Sequence, residues 1–251
     1  MTDTINKRLP LPDLGDVIFV LILYLTLHVL SPDFIFGDGS TGWHLVTGNY
    51  ILEHHVIPRT DLFSYTFAGK PWVAYEWLAD IVMSWLVKVG GLNLLAIAVS
   101  CSLAFLFLLL YERCRKEGAH FLLALILFMI AVPVSAIHWL ARPHLVTLFG
   151  VYLFYTYLDD FYRGKILAKR LLALPLFMII WVNCHPGFLF GLAIGGIYFG
   201  CALITYVLSK SDQFKSLYAN RFKDISVCAA ATLAATLITM ENRREKLACH
   251  C

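Results

Sequence analysis

The chain has 251 residues, of which 59% are hydrophobic and only 15% are charged, and its mean hydropathy is +0.72. A soluble domain averages about 45–50% apolar and about 25% charged residues, so this composition excludes a soluble enzyme, a nucleic-acid-binding module and a disordered tail. The formal net charge is +3, and the seven cysteines show no C-x-x-C spacing. They are therefore typical of small hydrophobic residues rather than of a disulfide framework or a zinc site.

Seven apolar blocks are long enough, or nearly so, to cross a bilayer. A hydrocarbon core about 30 Å thick takes roughly 17–25 apolar residues of helix. The sequence therefore predicts an all-α, polytopic membrane bundle forming a single domain over 1–251. The predicted spans are 14–30, 92–111, 119–137, 145–161, 166–182, 188–208 and 225–240.

The basic residues are distributed unevenly between the segments that connect these spans. Thirteen of the 20 Lys and Arg lie before span one or after spans two, four and six. Cytoplasmic segments carry an excess of these residues, so the pattern predicts a cytoplasmic N-terminus and an extracytoplasmic segment 31–91. The expected location is the inner (plasma) membrane of the cell, in contact with membrane lipids and with no nucleic acid.

Segment 31–91 is too long for a simple connector. Ser40 or Thr41 is suited to capping a helix that begins at Gly42, and Pro71 is suited to beginning a second helix that runs to about Val89. Gly90-Gly91 is predicted to separate this second helix from the span 92–111. Tryptophans on the second helix favour the headgroup level of a bilayer. The segment is therefore predicted to hold two juxtamembrane helices.

The second helix carries a polar stripe. Its members recur every fourth residue and therefore stack on one side: Glu76, Asp80, Ser84 and Lys88. Two carboxylates at this spacing repel by about 0.2–0.5 kcal/mol on an exposed helix unless a cation lies against them. One interpretation is a solvated helix face. The other is that an arginine, a substrate amine or a divalent metal lies there.

Two acidic residues follow the first span closely. Asp38 lies between Gly37 and Gly39, which allow a tight backbone turn, and Asp33 precedes it. A carboxylate shielded from bulk water just outside a membrane helix gains the raised pKa of a general base. An Asp beside Gly is also a common turn former, so the two interpretations stand side by side.

Further polar residues are expected at the same membrane face. Arg142 and His144 lie between spans three and four, and Asn183 and His185 lie between spans five and six. Six of the nine histidines fall on this side. Arg grips a phosphate through two parallel hydrogen bonds, and His or Asn adds another, so the group suits a phosphate-bearing lipid.

Five stretches resemble the N-terminal part of the GT-C superfamily of polytopic glycosyltransferases, in particular bacterial relatives of protein mannosyltransferases and lipid A aminoarabinose transferases. These stretches are 38–44, 48–52, 57–65, 72–78 and 181–188, and the resemblance covers roughly 14–190. Pro186 departs from the pattern, in which a small residue is expected. Such families place an acidic residue in a first outer loop flanked by two juxtamembrane helices.

The resemblance implies an inverting sugar transfer from a polyprenyl-phosphate donor to an acceptor on the extracytoplasmic face. Asp38 is then the catalytic base, with Asp33 in reserve. The implied substrate-binding residues are His44, Glu76, Asp80, Arg142, His144, Asn183 and His185. No cofactor is assigned, although Glu76 or Asp80 is a candidate ligand for a divalent metal.

Two other functions remain open. One is a transporter or flippase for a lipid-linked or anionic solute, and the other is a non-catalytic subunit of an envelope polysaccharide complex. The tail 241–251 places Arg243, Arg244 and Lys246 against the charge rule. We therefore expect a truncated or frame-shifted product of a longer enzyme.

Overall fold

A computed structural model of the protein describes residues 12–29, 34–209 and 212–248, of which 29, 212–217 and 241–248 are described by their backbone alone. Asp33 and the cysteines at 249 and 251 lie outside the described residues. Throughout the described part the secondary structure is helical, apart from an isolated bridge between Thr60 and Pro71. The longer helices are α1 Leu14–Tyr24, α2 Ser40–His54, α3 Trp77–Lys116, α4 Phe121–Ser135, α5 Leu145–Tyr162, α6 Ala173–Cys184, α7 Phe188–Leu208 and α8 Asp212–Ala248.

Four helical segments are long and apolar enough to cross a membrane. They are Trp77–Lys116, Phe121–His138, Phe188–Leu208 and Tyr218–Met240. Large apolar side chains of α4 such as Leu123, Ile126 and Ile130 are exposed, which suits contact with lipid. The prediction of apolar membrane helices is thus confirmed at four of its seven positions.

The other three predicted spans coincide with helices that are shorter or more polar. α1 has 11 residues and runs into a π-helical turn at Leu25–Val29, while α6 has 12 residues. α5 has 18 residues, but they include four tyrosines together with Asp159 and Asp160.

A sharp kink divides α3 into two arms. Gly90 has φ −140° and Gly91 has φ +70°, a left-handed conformation that glycine adopts without steric cost. The helical path therefore breaks between residues 77–89 and 92–116. The predicted separation at these two glycines is confirmed.

The chain divides into two compact units, residues 1–41 with 89–141 and residues 42–88 with 142–251. In the first unit, Phe107 packs edge-on against Phe128 and against the fully buried Trp139, with ring centroids 5.4 and 5.6 Å apart. Two hydrogen bonds fasten the stretch after α4: Ala141 N–H donates to Ile35 O at 2.9 Å, and Thr41 Oγ1 donates to Ala141 O at 3.1 Å.

The second unit begins with α2, a turn over 59–72 and the first arm of α3. The turn closes through Trp72 N–H donating to Arg59 O at 2.8 Å, and the Asp61 side chain accepts from the backbone N–H of Ser64 at 2.9 Å. Its Trp72 packs edge-on against Trp43 of α2. Pro71 is therefore part of this turn, and the prediction that it begins the second helix is wrong, because α3 begins at Trp77.

The remaining helices of the second unit pack around Trp181. The ring of Trp181 is fully buried beside Phe154 and Met178. It fits because two helices present glycine to it: a Cβ at Gly150 of α5 or at Gly191 of α7 would lie 2.6 Å from the indole. Such tight packing fixes the C-terminal end of α6, from which the functional residues extend.

Candidate functional site

The site forms within the second unit where α2 and the first arm of α3 approach each other closely. A Cβ added to Gly48 of α2 would collide with the backbone carbonyl of Asp80 and with the Ser84 hydroxyl, so only glycine fits. Ser84 Oγ donates to Leu45 O at 2.8 Å across the same contact. This approach brings His44 Nδ1 to 2.8 Å from Asp80 Oδ1, and both side chains are buried.

The polar stripe from Glu76 to Lys88 is thus largely an internal surface. Asp80 and Ser84 are buried, and only Lys88 at its far end is exposed. The solvated-face interpretation is therefore wrong for Asp80 and Ser84. The group that lies against the two carboxylates is the imidazole of His44.

Glu76 lies between two imidazoles. Its Oε2 is 3.7 Å from His44 Nδ1, and its Oε1 is 3.6 Å from His185 Nε2. The Glu76 side chain is 24% exposed, so one side of this carboxylate remains accessible. The carboxylate of Glu76, directly before α3, thus lies beside a histidine of α2 and the histidine that follows α6.

His185 is held by a chain of hydrogen bonds that begins at the buried indole. Trp181 Nε1–H donates to Thr147 Oγ1 at 3.0 Å, and Thr147 Oγ1 lies 2.9 Å from His185 Nδ1. Gly187 N–H donates to the same Nδ1 at 3.0 Å. A Cβ at Gly187 would collide with Thr147, so glycine is needed where the chain turns into α7.

The other predicted binding residues surround this group. The rings of His144 and His185 have centroids 6.4 Å apart, and the charge of Arg142 acts on both Glu76 and His185. Asn183 accepts from Trp77 Nε1–H at 2.9 Å and donates to Ile179 O at 2.7 Å. Both the oxygen and the nitrogen of the Asn183 side chain form hydrogen bonds within the protein. Asn183 therefore connects the end of α6 to the start of α3.

Burial changes the protonation of two of these groups. It raises the pKa of Glu76 above its ordinary value, with the charge of Asp80 acting in the same direction and those of His44 and Arg142 opposing it. Burial also lowers the pKa of His185 to about 4, helped by the charges of His144, Arg142 and His44. The His185 imidazole is therefore neutral at pH 7.

Asp38 lies in the first unit, at the entrance to α2. Its Oδ1 accepts from Ser40 N–H at 2.7 Å, and its backbone carbonyl accepts from Thr41 N–H at 3.1 Å. This is the geometry of a helix N-cap, the turn-forming role that the sequence left open. The helix accordingly begins at Ser40, two residues before the predicted Gly42.

Sequence reasoning missed the residues that support His185 and His44. Thr147 carries no sequence signal, since it lies in an apolar run. Gly48 and Gly187 stand inside the motif stretches, where an isolated glycine marks a close approach of backbone. Trp181 begins the stretch that contains His185, and its role as donor to Thr147 emerges only from the packing of α5 against α6.

Comparisons with protein-family models, with curated proteins and with solved structures each return no match for this chain. The arrangement combines a carboxylate of raised pKa, a neutral imidazole and a nearby guanidinium. Such a group is equipped to move a proton beside an anionic ligand.

Proposed function

We propose that the protein is a membrane glycosyltransferase of the GT-C type, which transfers a sugar from a polyprenyl-phosphate-linked donor to an acceptor. In this proposal the chain spans the inner membrane about seven times with a cytoplasmic N-terminus. The reaction takes place at the extracytoplasmic face, to which the charge rule assigns 31–91 and the short segments after the third and fifth spans.

The observation that carries the proposal is the convergence of Glu76, His44 and His185 beside Arg142 and His144. The contributing residues are separated along the chain by up to about 140 positions, yet each lies on the side where the charge rule expects the exterior. A grouping of ionisable residues at membrane depth is costly and is therefore typical of a functional site.

The chemistry follows from the charges. As the acceptor oxygen forms its bond to the anomeric carbon, the bond from that carbon to the phosphate oxygen breaks and the electron pair stays on the phosphate. Arg142 and His144 are the groups that stabilise this developing negative charge. The energy resides in the phosphate–sugar bond, so the reaction requires no nucleotide.

The test uses the full chain in lipid vesicles with radiolabelled undecaprenyl phosphate sugars as probes: glucose, mannose, N-acetylglucosamine and 4-amino-arabinose. Native membrane extract supplies acceptors. We expect transfer from one donor, and a fall of about 10²-fold or more in Arg142→Ala, as for the loss of a transition-state charge contact. Arg115→Ala, at an exposed position of α3, is the matched control and should transfer normally.

A second candidate, a transporter of an anionic or lipid-linked solute, is favoured by one feature of the second unit. A cavity of about 730 Å³ between α5 and α7 is lined by the buried Asp159 together with Tyr155, Tyr162 and Tyr198. A buried carboxylate within a predicted membrane span is typical of a solute pathway. Movement of the labelled lipid between leaflets without release of its sugar would favour this candidate over the transferase.

A further inference from the structure

The hydrogen bonds around His185 fix the position of its proton. Gly187 N–H can only donate, so Nδ1 of the neutral imidazole must accept and the ring proton lies on Nε2. Thr147 Oγ1 already accepts from Trp181 Nε1–H, which leaves the Thr147 hydroxyl hydrogen to donate to the same Nδ1. His185 therefore presents an N–H to Glu76.

The proton of His44 is fixed in a similar way. Its Nδ1 lies at hydrogen-bond distance, 2.8 Å, from the Asp80 carboxylate, which in its ionised form only accepts. Nδ1 therefore carries a hydrogen and donates a hydrogen bond to Asp80. Asp80 is 3% exposed and engaged with His44, so it is closed to an incoming acceptor.

Glu76 differs from both Asp80 and Asp38. Its Oε1 lies 3.6 Å from His185 Nε2, and its Oε2 lies 3.7 Å from His44 Nδ1, whose hydrogen is directed to Asp80. Both distances are beyond the usual length of a hydrogen bond, so the Nε2–H dipole of His185 orients Glu76 without a hydrogen bond to it. Asp38, by comparison, accepts a short hydrogen bond of 2.7 Å from Ser40 N–H. Glu76 thus combines accessibility, orientation and an oxygen that is not already a helix cap.

We propose that Glu76, rather than Asp38, accepts the proton of the acceptor hydroxyl in the sugar transfer. The assignment rests on the proposed function. As the acceptor oxygen bonds to the anomeric carbon, its proton moves to Glu76 and the phosphate leaves with the electron pair of the broken bond. His185 is a positioning residue, since its Nε2–H faces the carboxylate, and His44 positions the neighbouring Asp80 through their hydrogen bond.

The charged groups around Glu76 support this role. They come from each element packed against it: His44 of α2, Asp80 of α3, His185 after α6, and Arg142 and His144 before α5. Burial is the largest influence on Glu76 and raises its pKa. In its ionised form, a carboxylate with a raised pKa is a stronger base than an exposed one.

The test compares two substitutions of Glu76 in the full chain, with the labelled donor that the wild type uses. Glu76→Gln keeps the shape and still presents an oxygen to His185, but it cannot take a proton. Glu76→Asp keeps the carboxylate but shortens its reach. We expect Glu76→Gln to lose about 10²–10⁴-fold in turnover and Glu76→Asp to lose less, with donor binding unchanged in both.

The matched control is Glu53→Gln, the same change at an exposed position of α2. A purely structural role for Glu76 predicts the opposite order, with Gln tolerated and Asp damaging. Turnover of Glu76→Gln above a tenth of wild type, or greater activity in Gln than in Asp, would overturn the assignment while leaving the transferase intact. Absence of transfer by the wild type with every donor would instead overturn the proposed function.

Discussion

His44 and Asp80 form a buried hydrogen bond between α2 and α3, 2.8 Å long, which exists because Gly48 lets the two helices approach one turn further along. A side chain at position 48 would collide with the backbone of Asp80 itself. The backbone cannot move aside as a flexible side chain can. The position of one buried carboxylate is thus set by a glycine on the neighbouring helix.

Substituting Gly48 by Ala should therefore destabilise the protein and displace Asp80. Overpacking typically costs about 1–3 kcal/mol, and a collision with backbone belongs at the upper end of that range. The measurement is the unfolding midpoint of the purified protein in detergent.

Gly42→Ala is the matched control for this change. It lies in the same helix, is exposed, and has no atom within 4 Å of an added Cβ. Since Ala favours a helix over Gly by up to about 1 kcal/mol, this variant should be as stable as the wild type or more so. Equal midpoints for the two variants would contradict the close approach of α2 and α3.

Trp181→Phe should loosen His185 as well as the core. The change removes the N–H that donates to Thr147 and leaves unfilled space between Gly150 and Gly191. We expect a loss of about 1–3 kcal/mol in stability, because a buried hydroxyl loses its donor and apolar contacts are removed. Phe177→Leu, at a partly buried neighbour of the indole, is the comparison that alters packing without touching this hydrogen bond.

The readout specific to Trp181 is the ¹⁵N spectrum of His185. In the wild type, Nδ1 should show the shift of an unprotonated nitrogen and Nε2 that of a protonated one. In Trp181→Phe the Thr147 hydroxyl loses its donor, while Gly187 N–H still donates to Nδ1. We therefore expect the Nδ1 signal to move without a change of tautomer. An unchanged His185 spectrum would show that the indole has no influence on this imidazole.

The lowered pKa of His185 predicts a dependence of stability on pH. In the folded protein its pKa is about 4 against 6.5 for an ordinary histidine, so between these values the unfolded chain binds more protons. Stability should therefore fall as the pH decreases from 6.5 to 4. Glu76, whose pKa is raised, contributes in the opposite direction, since its share is present at low pH and is lost as the pH rises through its folded pKa.

His185→Asn isolates this contribution. The Asn side chain oxygen is still able to accept the Gly187 N–H, but it does not titrate. Unfolding midpoints measured at steps from pH 7 to pH 4 should decline less in this variant than in the wild type. Parallel curves would show that His185 binds its proton equally well in the folded and unfolded protein.

Much of this architecture follows from patterns that are local in sequence. The apolar blocks predicted the four membrane-competent helices, and Gly90-Gly91 predicted the kink in α3, because length, hydropathy and glycine conformation act within a few residues. The start of α3 could not be predicted in this way. Pro71 is a favourable first helical residue, but the hydrogen bond from Trp72 N–H to Arg59 O places Pro71 in a turn.

The site, too, could be predicted only where it depends on local sequence patterns. The sequence indicated that Glu76, His144 and His185 belong together, since the charge pattern assigns them to one membrane face. It could not distinguish a solvated stripe from a buried one, because the burial of Asp80 depends on the approach of α2. Nor could it identify Thr147, whose partners His185 and Trp181 lie more than thirty residues away.

The orientation of the chain in the membrane is the last prediction, and it rests on the thirteen basic residues assigned to the cytoplasmic side. The 59–72 turn offers a probe for the opposite side, since Tyr65 at its tip is 101% exposed. Lys165, in the segment after α5, has a side chain that is 43% exposed and offers the matched probe for the interior. In a variant without the seven native cysteines, Tyr65→Cys should react with a membrane-impermeant maleimide in intact spheroplasts. Lys165→Cys should react only after permeabilisation, because its segment carries four of the thirteen basic residues. The reverse pattern would place Glu76 and His185 on the cytoplasmic side, where a donor exposed in the outer leaflet could not reach them.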